Sequence, residues 1–351
     1  MNNKSIVFMI AIILAMGLGI YLNQRGSVST RDDQIGKLLF PGLKAKLDKV
    51  QEVKFASNQK TVTIEHKGEH WTIEQKGGYE ADFGKLSSFL NGLVKAKYVE
   101  RKTSKPDNFS ILGVRGIDDS ASKATEVSVT ASDGSQYQLL IGKNSETEKG
   151  HFVRKPSQSQ VWLVDGVEEA STDAEHWIEP VVLSIDADEV SSVTDTTADG
   201  KHTLTVKRDK DSHNFKIEDL PKGARLKYDS IADSLARSLS DVRATDVRAR
   251  GQVSWKQTPT ASYVLKDGST IVVHGLKDDN GRYWLRFDLD ASKKPSEAVS
   301  FIDKDRLSGF EFRVPDYVYE QFTHTMDDMI KKEDKSADKT ADKKAASAAA
   351  G

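Results

Sequence analysis

The chain has 351 residues, of which 37% are hydrophobic, and its 51 basic and 53 acidic side chains nearly cancel. A protein that faces nucleic-acid phosphates needs a basic excess, so this balance argues against a nucleic-acid partner. The absence of cysteine excludes disulfides, thiolate metal sites, a cysteine nucleophile and a cysteine-linked lipid anchor.

The N-terminal segment is apolar over the width of a membrane. No charged residue lies between Lys4 and Arg25, and Ile6–Leu22 is apolar throughout. About 20 helical residues span roughly 30 Å, the thickness of a bilayer core. We therefore predict that residues 1–25 form an uncleaved transmembrane anchor with a cytoplasmic start, followed by an extracytoplasmic chain. A cleaved signal peptide is the alternative.

Small side chains recur on one side of this predicted helix. Ala11, Ala15 and Gly19 follow at intervals of four residues and so share one helical face. Small residues at that spacing let a second transmembrane helix approach closely. They are our candidate contacts with a membrane partner.

The chain that follows alternates in the manner of strands and then turns helical. Leu38–Leu43 is an apolar cluster that we interpret as a lid on the first module. Thr61–Glu65 and His70–Glu74 alternate with period two around Lys67-Gly68, which predicts a hairpin. Asp82 is placed to cap a helix whose apolar stripe is Leu86, Phe89, Leu90, Leu93 and Val94.

The same order returns in the second half of the chain. The later strands begin at Val190, Leu204 and Asn214, and the later stripe is Ile231, Leu235, Leu239 and Val242. We predict an α+β fold of two tandem duplicated modules after the transmembrane helix, each a mainly antiparallel sheet covered by one main helix. The predicted boundaries are 1–25 for the anchor, 26–183 and 184–325 for the modules, and 326–351 for a disordered tail.

Two arginines stand at equivalent strand positions in the two predicted modules. Arg154 follows Phe152-Val153, and Arg286 follows Trp284-Leu285. One interpretation is an outward-facing residue paired with a carboxylate. The other is a contact with an anionic ligand or partner, and we therefore name both arginines as possible partner contacts.

No catalytic, metal or cofactor site stands out from the sequence. His66 and His70 are four apart, but Gly68 between them indicates a hairpin turn more than a metal site. There is no G-x-S-x-G, no phosphate-binding loop and no dinucleotide-binding glycine pattern after a strand. We predict a non-enzymatic protein without cofactor, although a hydrolase using carboxylates such as Asp82, Asp165 or Asp186 stays open.

Several short stretches follow one another in an order that is similar to that of a known family. LFPGLKAKLDKVQEVKF, GGYEAD, LLIGK and FVRK together make the region from Leu38 to Glu320 resemble the uncharacterised bacterial domain-of-unknown-function family 4340. The second module departs from the pattern, because Pro221-Lys222-Gly223 stands where the first has Gly-Gly-Tyr. The resemblance implies a membrane-anchored protein linked to a gliding-motility-type ABC transporter, and it implies no catalytic residue.

These observations lead to one expected function and one alternative. We expect an auxiliary protein of an ABC-type transporter, anchored by a single span in the bacterial inner membrane with most of the chain in the periplasm. Its partners would be the transporter's permease and ATPase. The alternative is a periplasmic module that binds cell-wall glycan or lipid between the two predicted modules.

Overall fold

The structure is a computed structural model that describes residues 33–210 and 214–331. Contacts divide the chain into two compact units. The first comprises the chain up to Val50, Lys54–Lys60 and Ser88–Ala170, and the second comprises Gln51–Val53, Thr61–Ser87 and the chain from Ser171 onward. The predicted module boundaries stay predictions.

Strands dominate the first half of the described chain. They are β1 (Val50–Ala56), β2 (Thr61–Lys67), β3 (His70–Ile73), β4 (Tyr79–Glu80), β5 (Lys97–Arg101), β6 (Thr125–Ala131), β7 (Gln136–Asn144), β8 (His151–Arg154) and β9 (Val161–Asp165). They form a nine-stranded sheet in the order β4-β3-β2-β1-β6-β7-β8-β9-β5.

Strands also dominate the second half. They are β10 (Val181–Leu183), β11 (Val190–Thr196), β12 (Thr203–Arg208), β13 (Phe215–Ile217), β14 (Val242–Arg243), β15 (Asp246–Ala249), β16 (Thr260–Leu265), β17 (Thr270–Lys277), β18 (Tyr283–Asp290) and β19 (Phe310–Val314). Eight of them form a sheet in the order β13-β12-β11-β16-β17-β18-β19-β15, while β10 pairs with β14.

Local sequence explains the hairpins of both sheets. The predicted pairing of β2 with β3 is confirmed, with Ile64 opposite Ile73. The turns between β6 and β7 and between β16 and β17 hold Gly134 and Gly268 at φ 82° and φ 85°. A side chain rarely adopts that left-handed conformation, so the Asp-Gly-Ser sequence of each turn favours the hairpin.

Helices are short except for the first. They are α1 (Phe83–Lys95), α2 (Phe109–Leu112), α3 (Ile231–Arg237), α4 (Glu297–Ser300), α5 (Lys304–Gly309), α6 (Asp316–Glu320) and α7 (Met326–Met329). The predicted cap of α1 is confirmed, because the Asp82 carboxylate accepts the Lys85 amide at 3.0 Å. The five predicted stripe residues of α1 are all buried.

The predicted α+β class was wrong, because the described chain is mainly β and its sheets are antiparallel. The described second half has no helix as long as α1, so the two large sheets are not each covered by one main helix. In the second half the predicted stripe is buried, but only Ile231 and Leu235 lie on α3, and Val242 lies on β14. Four apolar residues at helical spacing do not distinguish a helix from a buried turn followed by a strand. The spacing therefore predicted burial correctly and the helix incorrectly.

The apolar and aromatic residues between Tyr317 and Ile330 also predict a single closing helix, and this prediction was wrong. This segment is divided into α6 and α7, because Thr325 begins a new helix with a capping box that it shares with Asp328. By contrast, Leu39, Phe40 and Leu43 of the predicted lid are buried within the first unit.

The predicted N-terminal transmembrane helix is not supported by the structure. Its residues lie outside the described part of the chain, as does the tail from residue 332. Between residues 33 and 331, apart from 211–213, no helix combines the length and the apolar character needed to cross a membrane.

Candidate functional site

The candidate site is a concentration of charged and aromatic side chains in the second unit, where β15, β17, β18 and β19 run side by side. In the register of these strands His274 lies opposite Arg286, and Arg248 lies opposite Glu311. Because side chains alternate between the two faces of a strand, Leu285 and Phe287 of β18 are buried in the core while Arg286 lies on the other face. We call the following residues the arginine face: Arg248, Arg250, Trp255, His274, Trp284, Arg286, Asp288 and Glu311.

Glu311 is the buried anion of the arginine face. Its side chain has no exposed surface, and it accepts hydrogen bonds from Arg248 Nε at 2.6 Å and from the Trp255 indole at 2.7 Å. The Arg248 guanidinium lies 3.8 Å from the centre of the Trp284 ring, within the range of a cation–π contact. Glu311 therefore neutralises Arg248 and fastens the loop that carries Trp255 to the sheet.

Asp288 is the second anion, and three cationic or basic groups converge on it. Arg250 Nη2 lies 2.7 Å from Oδ1, His274 Nε2 lies 2.9 Å from Oδ2, and Arg286 Nη2 lies 4.0 Å from Oδ2. Burial opposes ionisation of this carboxyl, but the hydrogen bond and charge of Arg250 outweigh it and lower the pKa of Asp288. Asp288 is therefore ionised and shared.

His274 is held neutral in this setting. Burial lowers the pKa of His274, the charge of Arg286 lowers it further, and the attraction of Asp288 does not offset both. An imidazole whose pKa is lowered in this way carries no positive charge near neutral pH. His274 therefore acts on Asp288 as a hydrogen-bond donor and not as a counter-ion.

Arg286 is the arginine of this face that lacks a close carboxylate. Arg248 also has a buried nitrogen without a hydrogen-bond partner in the described part of the chain, Nη2, but its Nε is paired with Glu311. The Arg286 Nε is buried and has no hydrogen-bond partner among the described residues, and its Nη2 is too far from Asp288 for a hydrogen bond. The guanidinium lies 5.2 Å from the centre of the Trp255 ring. Burial, followed by the charge of Arg250, lowers the pKa of Arg286. A buried donor without an acceptor is costly, and the rest of this side chain keeps 20% of its surface exposed to an incoming anion.

Charge counting gives the same result. The arginine face contains three guanidinium groups and two carboxylates, which leaves one unmatched positive charge when His274 is neutral. The adjoining ion pairs on β15 and β19 are balanced internally: Asp246 binds Lys76 and Arg313, and Arg313 also binds Glu175 at 2.8 Å. The site can therefore accept an anion without first losing one of its own.

A second buried pair in the same unit has the opposite character. Asp195 is 1% exposed, and burial raises the pKa of its carboxyl despite the hydrogen bond of 3.1 Å from the His324 backbone amide. His324 lines two cavities of about 500 and 530 Å³. Tyr263 is a third polar group near this pair, and burial, followed by the charge of Asp195, raises the pKa of its phenol. Because burial disfavours the charged forms of both Asp195 and Tyr263, this group ranks below the arginine face.

The residues predicted from sequence meet different outcomes. Ala11, Ala15 and Gly19 lie outside the described residues. Arg286 lies in the arginine face. Arg154 is 9% exposed, in the first unit, and donates its hydrogen bonds to backbone carbonyl groups, so its surroundings favour a structural role.

The histidine pair considered for a metal is a feature of the β2–β3 hairpin. His66 stacks on Trp71 with 4.9 Å between ring centres, and His70 Nδ1 lies 3.1 Å from a Glu80 carboxylate oxygen. Across residues 33–210 and 214–331, no group of three or more metal-ligating side chains is present.

Sequence reasoning missed most of the arginine face. Arg248 and Arg250 alternate along the chain, as Arg286 and Asp288 do, which is the signal for charged residues on one face of a strand. What was missing was the pairing of β15 with β19, which joins Arg248 to Glu311 across 63 positions.

Comparison with known protein families shows to which family the chain belongs. Residues 71–268 match the family described as Domain of unknown function (DUF4340). The chain belongs to this family. The match covers more than half of the chain and includes β15, so Arg248 and Arg250 lie inside the DUF4340 region while Arg286 lies beyond its end. No curated protein and no solved structure matches the chain.

Proposed function

We propose that this DUF4340 protein is a non-enzymatic binding component, auxiliary to an ABC-type transporter, that holds an anionic group of a partner or ligand against the arginine face. The observation that carries the proposal is Arg286, a partly buried guanidinium whose Nε has no acceptor and whose nearest carboxylate is already bound by two other groups. Such a group gains more from an incoming anion than a guanidinium that is already paired.

The arrangement also favours binding over chemistry. Each group near Arg286 is either fixed by an ion pair or neutral, and the two carboxylates are occupied by arginines. A carboxylate acts as a general base only when it is free to take a substrate proton, and each of these two carboxylates is held by an arginine. The ordered arginines instead offer a preformed surface, which lowers the entropic cost of binding.

The proposed location and partners rest on the sequence. The uncharged segment between Lys4 and Arg25 supports a place at the bacterial inner membrane, with most of the chain in the periplasm. The family resemblance supports the permease and the ATPase of an ABC-type transporter as partners. The arginine face then contributes one contact of the complex or binds its cargo.

The experiment is recovery of partners from bacterial membranes in mild detergent, using full-length protein, a version lacking Met1–Gln24, and two point variants. Arg286→Gln removes the unmatched charge. Arg282→Gln removes an exposed arginine from the turn before the same strand and is the matched control. Mass spectrometry identifies and quantifies the recovered proteins.

We expect the full-length protein and Arg282→Gln to recover an ABC permease and ATPase, and the version lacking Met1–Gln24 to lose them. A tenfold lower yield with Arg286→Gln, about 1.4 kcal/mol of binding free energy, would place the arginine face in the contact. Failure of the full-length protein to recover any transporter component would refute the auxiliary role.

A further inference from the structure

The proposed binding role leaves open which anionic group the arginine face receives. We infer that it is a single carboxylate on a small organic ligand, held by Arg286 and Arg250 beside the ring of Trp255. This inference rests on the binding role proposed above, but not on the identity of the transporter.

The first argument is the number of charges. Three guanidinium groups face two carboxylates, so one further negative charge restores neutrality. A carboxylate carries one charge, whereas a phosphate monoester carries about 1.5 to 2 at neutral pH. A phosphate would leave the site over-compensated beside Asp288, since no other free cation stands next to Arg286 among the described contacts.

The second argument is the exposure of the two guanidinium groups, although the Arg286 Nε itself is buried. The Arg286 and Arg250 side chains retain 20% and 30% exposure, so both remain accessible beside Asp288. A guanidinium presents its donors as a planar fork that matches the two oxygens of a carboxylate. Because Arg250 already holds Asp288 and Arg286 is stacked near Trp255, neither side chain has to be ordered anew when the ligand binds.

The third argument is the aromatic neighbour. Trp255 is half-buried on the loop between β15 and β16, with its indole nitrogen fixed on Glu311 and its ring beside the Arg286 guanidinium. A fixed indole ring offers an apolar surface next to the charge. A ligand with a carboxylate attached to a ring or a small alkyl group uses both features, while an inorganic anion uses only the charge.

The test is a titration of the full-length protein in mild detergent at constant ionic strength and neutral pH. Tryptophan fluorescence and calorimetry follow binding of sodium D-glucuronate and of N-acetylalanine, which present the same carboxylate on a sugar ring and on a peptide terminus. D-glucose, acetate and inorganic phosphate are the reference ligands. The proteins compared are the wild type, Arg286→Gln, Arg286→Lys and the control Arg282→Gln.

We expect saturable binding of at least one of the two organic carboxylates, weaker binding of acetate, and none of glucose. Arg286→Gln should weaken binding at least tenfold, Arg286→Lys should keep part of it, and Arg282→Gln should match the wild type. The tighter of the two carboxylates identifies the source of the ligand, sugar acid or peptide terminus.

Three results would overturn the inference. They are phosphate binding as tightly as the carboxylates, no saturable response to either carboxylate, and equal binding by Arg286→Gln and the wild type. If Arg286→Gln does not fold, Arg286→Lys and the ligand series still decide the question. Recovery of transporter components does not depend on this titration, so failure of the carboxylate assignment and failure of the auxiliary role are separate results.

Discussion

Arg154 and Arg286 are both strand arginines with a short aromatic or apolar run before them, yet their surroundings in the two units differ. Arg154 donates to three carbonyl groups: Nε to Val114 at 3.0 Å, and Nη1 to Pro156 at 3.2 Å and Gln158 at 3.0 Å. Its guanidinium also lies 4.7 Å from the centre of the Phe109 ring. The Nε of Arg286 has no acceptor.

The difference separates two uses of a partly buried guanidinium. Carbonyl groups satisfy the donors of Arg154 without removing its charge, so the side chain ties the strand to the segment around Val114. Burial lowers the pKa of both arginines. Of the two, Arg154 has backbone acceptors that replace the water its guanidinium loses on burial. The lesson is that acceptors, and not burial alone, decide whether an arginine is structural or available for binding.

Removal of each arginine side chain should give the largest difference in stability. Arg154→Ala leaves three carbonyl groups without their donor and removes the contact with Phe109. Because a buried group left unsatisfied costs about 1–3 kcal/mol, we expect the free energy of unfolding to fall by about 3 kcal/mol. Arg286→Ala should change it by less than about 1 kcal/mol.

Chemical denaturation read by circular dichroism measures both variants, with hydrogen exchange assigning the loss to the first unit. An equal effect of the two substitutions would show that the hydrogen-bond difference has no energetic weight.

The second prediction concerns Glu311, the carboxylate that pairs with Arg248, whereas Arg286 has no carboxylate so close. Glu311→Gln keeps the shape and an acceptor for Trp255 but removes the charge beside Arg248. Breaking a buried ion pair on one side costs about 3–5 kcal/mol, and the retained acceptor reduces this to an expected loss of about 2 kcal/mol.

Glu100→Gln is the matched control, because Glu100 is 45% exposed and pairs with Lys102 at the surface. Exposed pairs contribute less than about 1 kcal/mol. Thermal unfolding compares the two variants, and a control that costs as much as Glu311→Gln would remove the distinction between buried and exposed pairs.

The smallest expected effect is a pH dependence from His274. Its pKa is lower in the folded protein than in the unfolded chain, where it is about 6.5. The folded state therefore binds the proton less readily, so the stability contribution of this group is complete above pH 6.5 or so and declines as the pH falls below it. Arg286 and Arg250 oppose protonation, and Asp288 favours it.

The unfolding midpoint of the wild type and of His274→Asn, measured from about pH 7.5 to about pH 5.5, tests this dependence. We expect the wild type to lose slightly more stability than the variant on acidification. A larger loss in the variant would mean that Asp288 dominates and that His274 is charged in the folded state.

Local patterns predicted local structure well. Alternation around Lys67-Gly68 predicted the hairpin of β2 and β3, and the stripe of α1 was found because 13 residues of helix repeat the pattern several times. The stripe from Ile231 to Val242 failed because it is short and passes from helix to turn to strand. Buried apolar residues mark the core whichever element holds them.

The candidate site was predictable only in part. Arg286 was found because its strand position drew attention, but Arg154 drew the same attention for the same reason. What separates them is the set of neighbours: Val114, Pro156 and Gln158 for one, and Trp255 and Asp288 for the other. Pairings between distant strands and the path of a covering loop have no local sequence signal.

The hydrogen bond from the Trp255 indole links the loop between β15 and β16 to the buried carboxylate of Glu311. Glu311 has no exposed surface, and it accepts hydrogen bonds from the Trp255 indole, from Arg248 Nε and from the Gly251 amide. A protease cut within residues 252–258 would let water reach the carboxylate and would loosen Arg248 as well. The rate of such cleavage, followed over time, would report how often the loop lifts from the sheet.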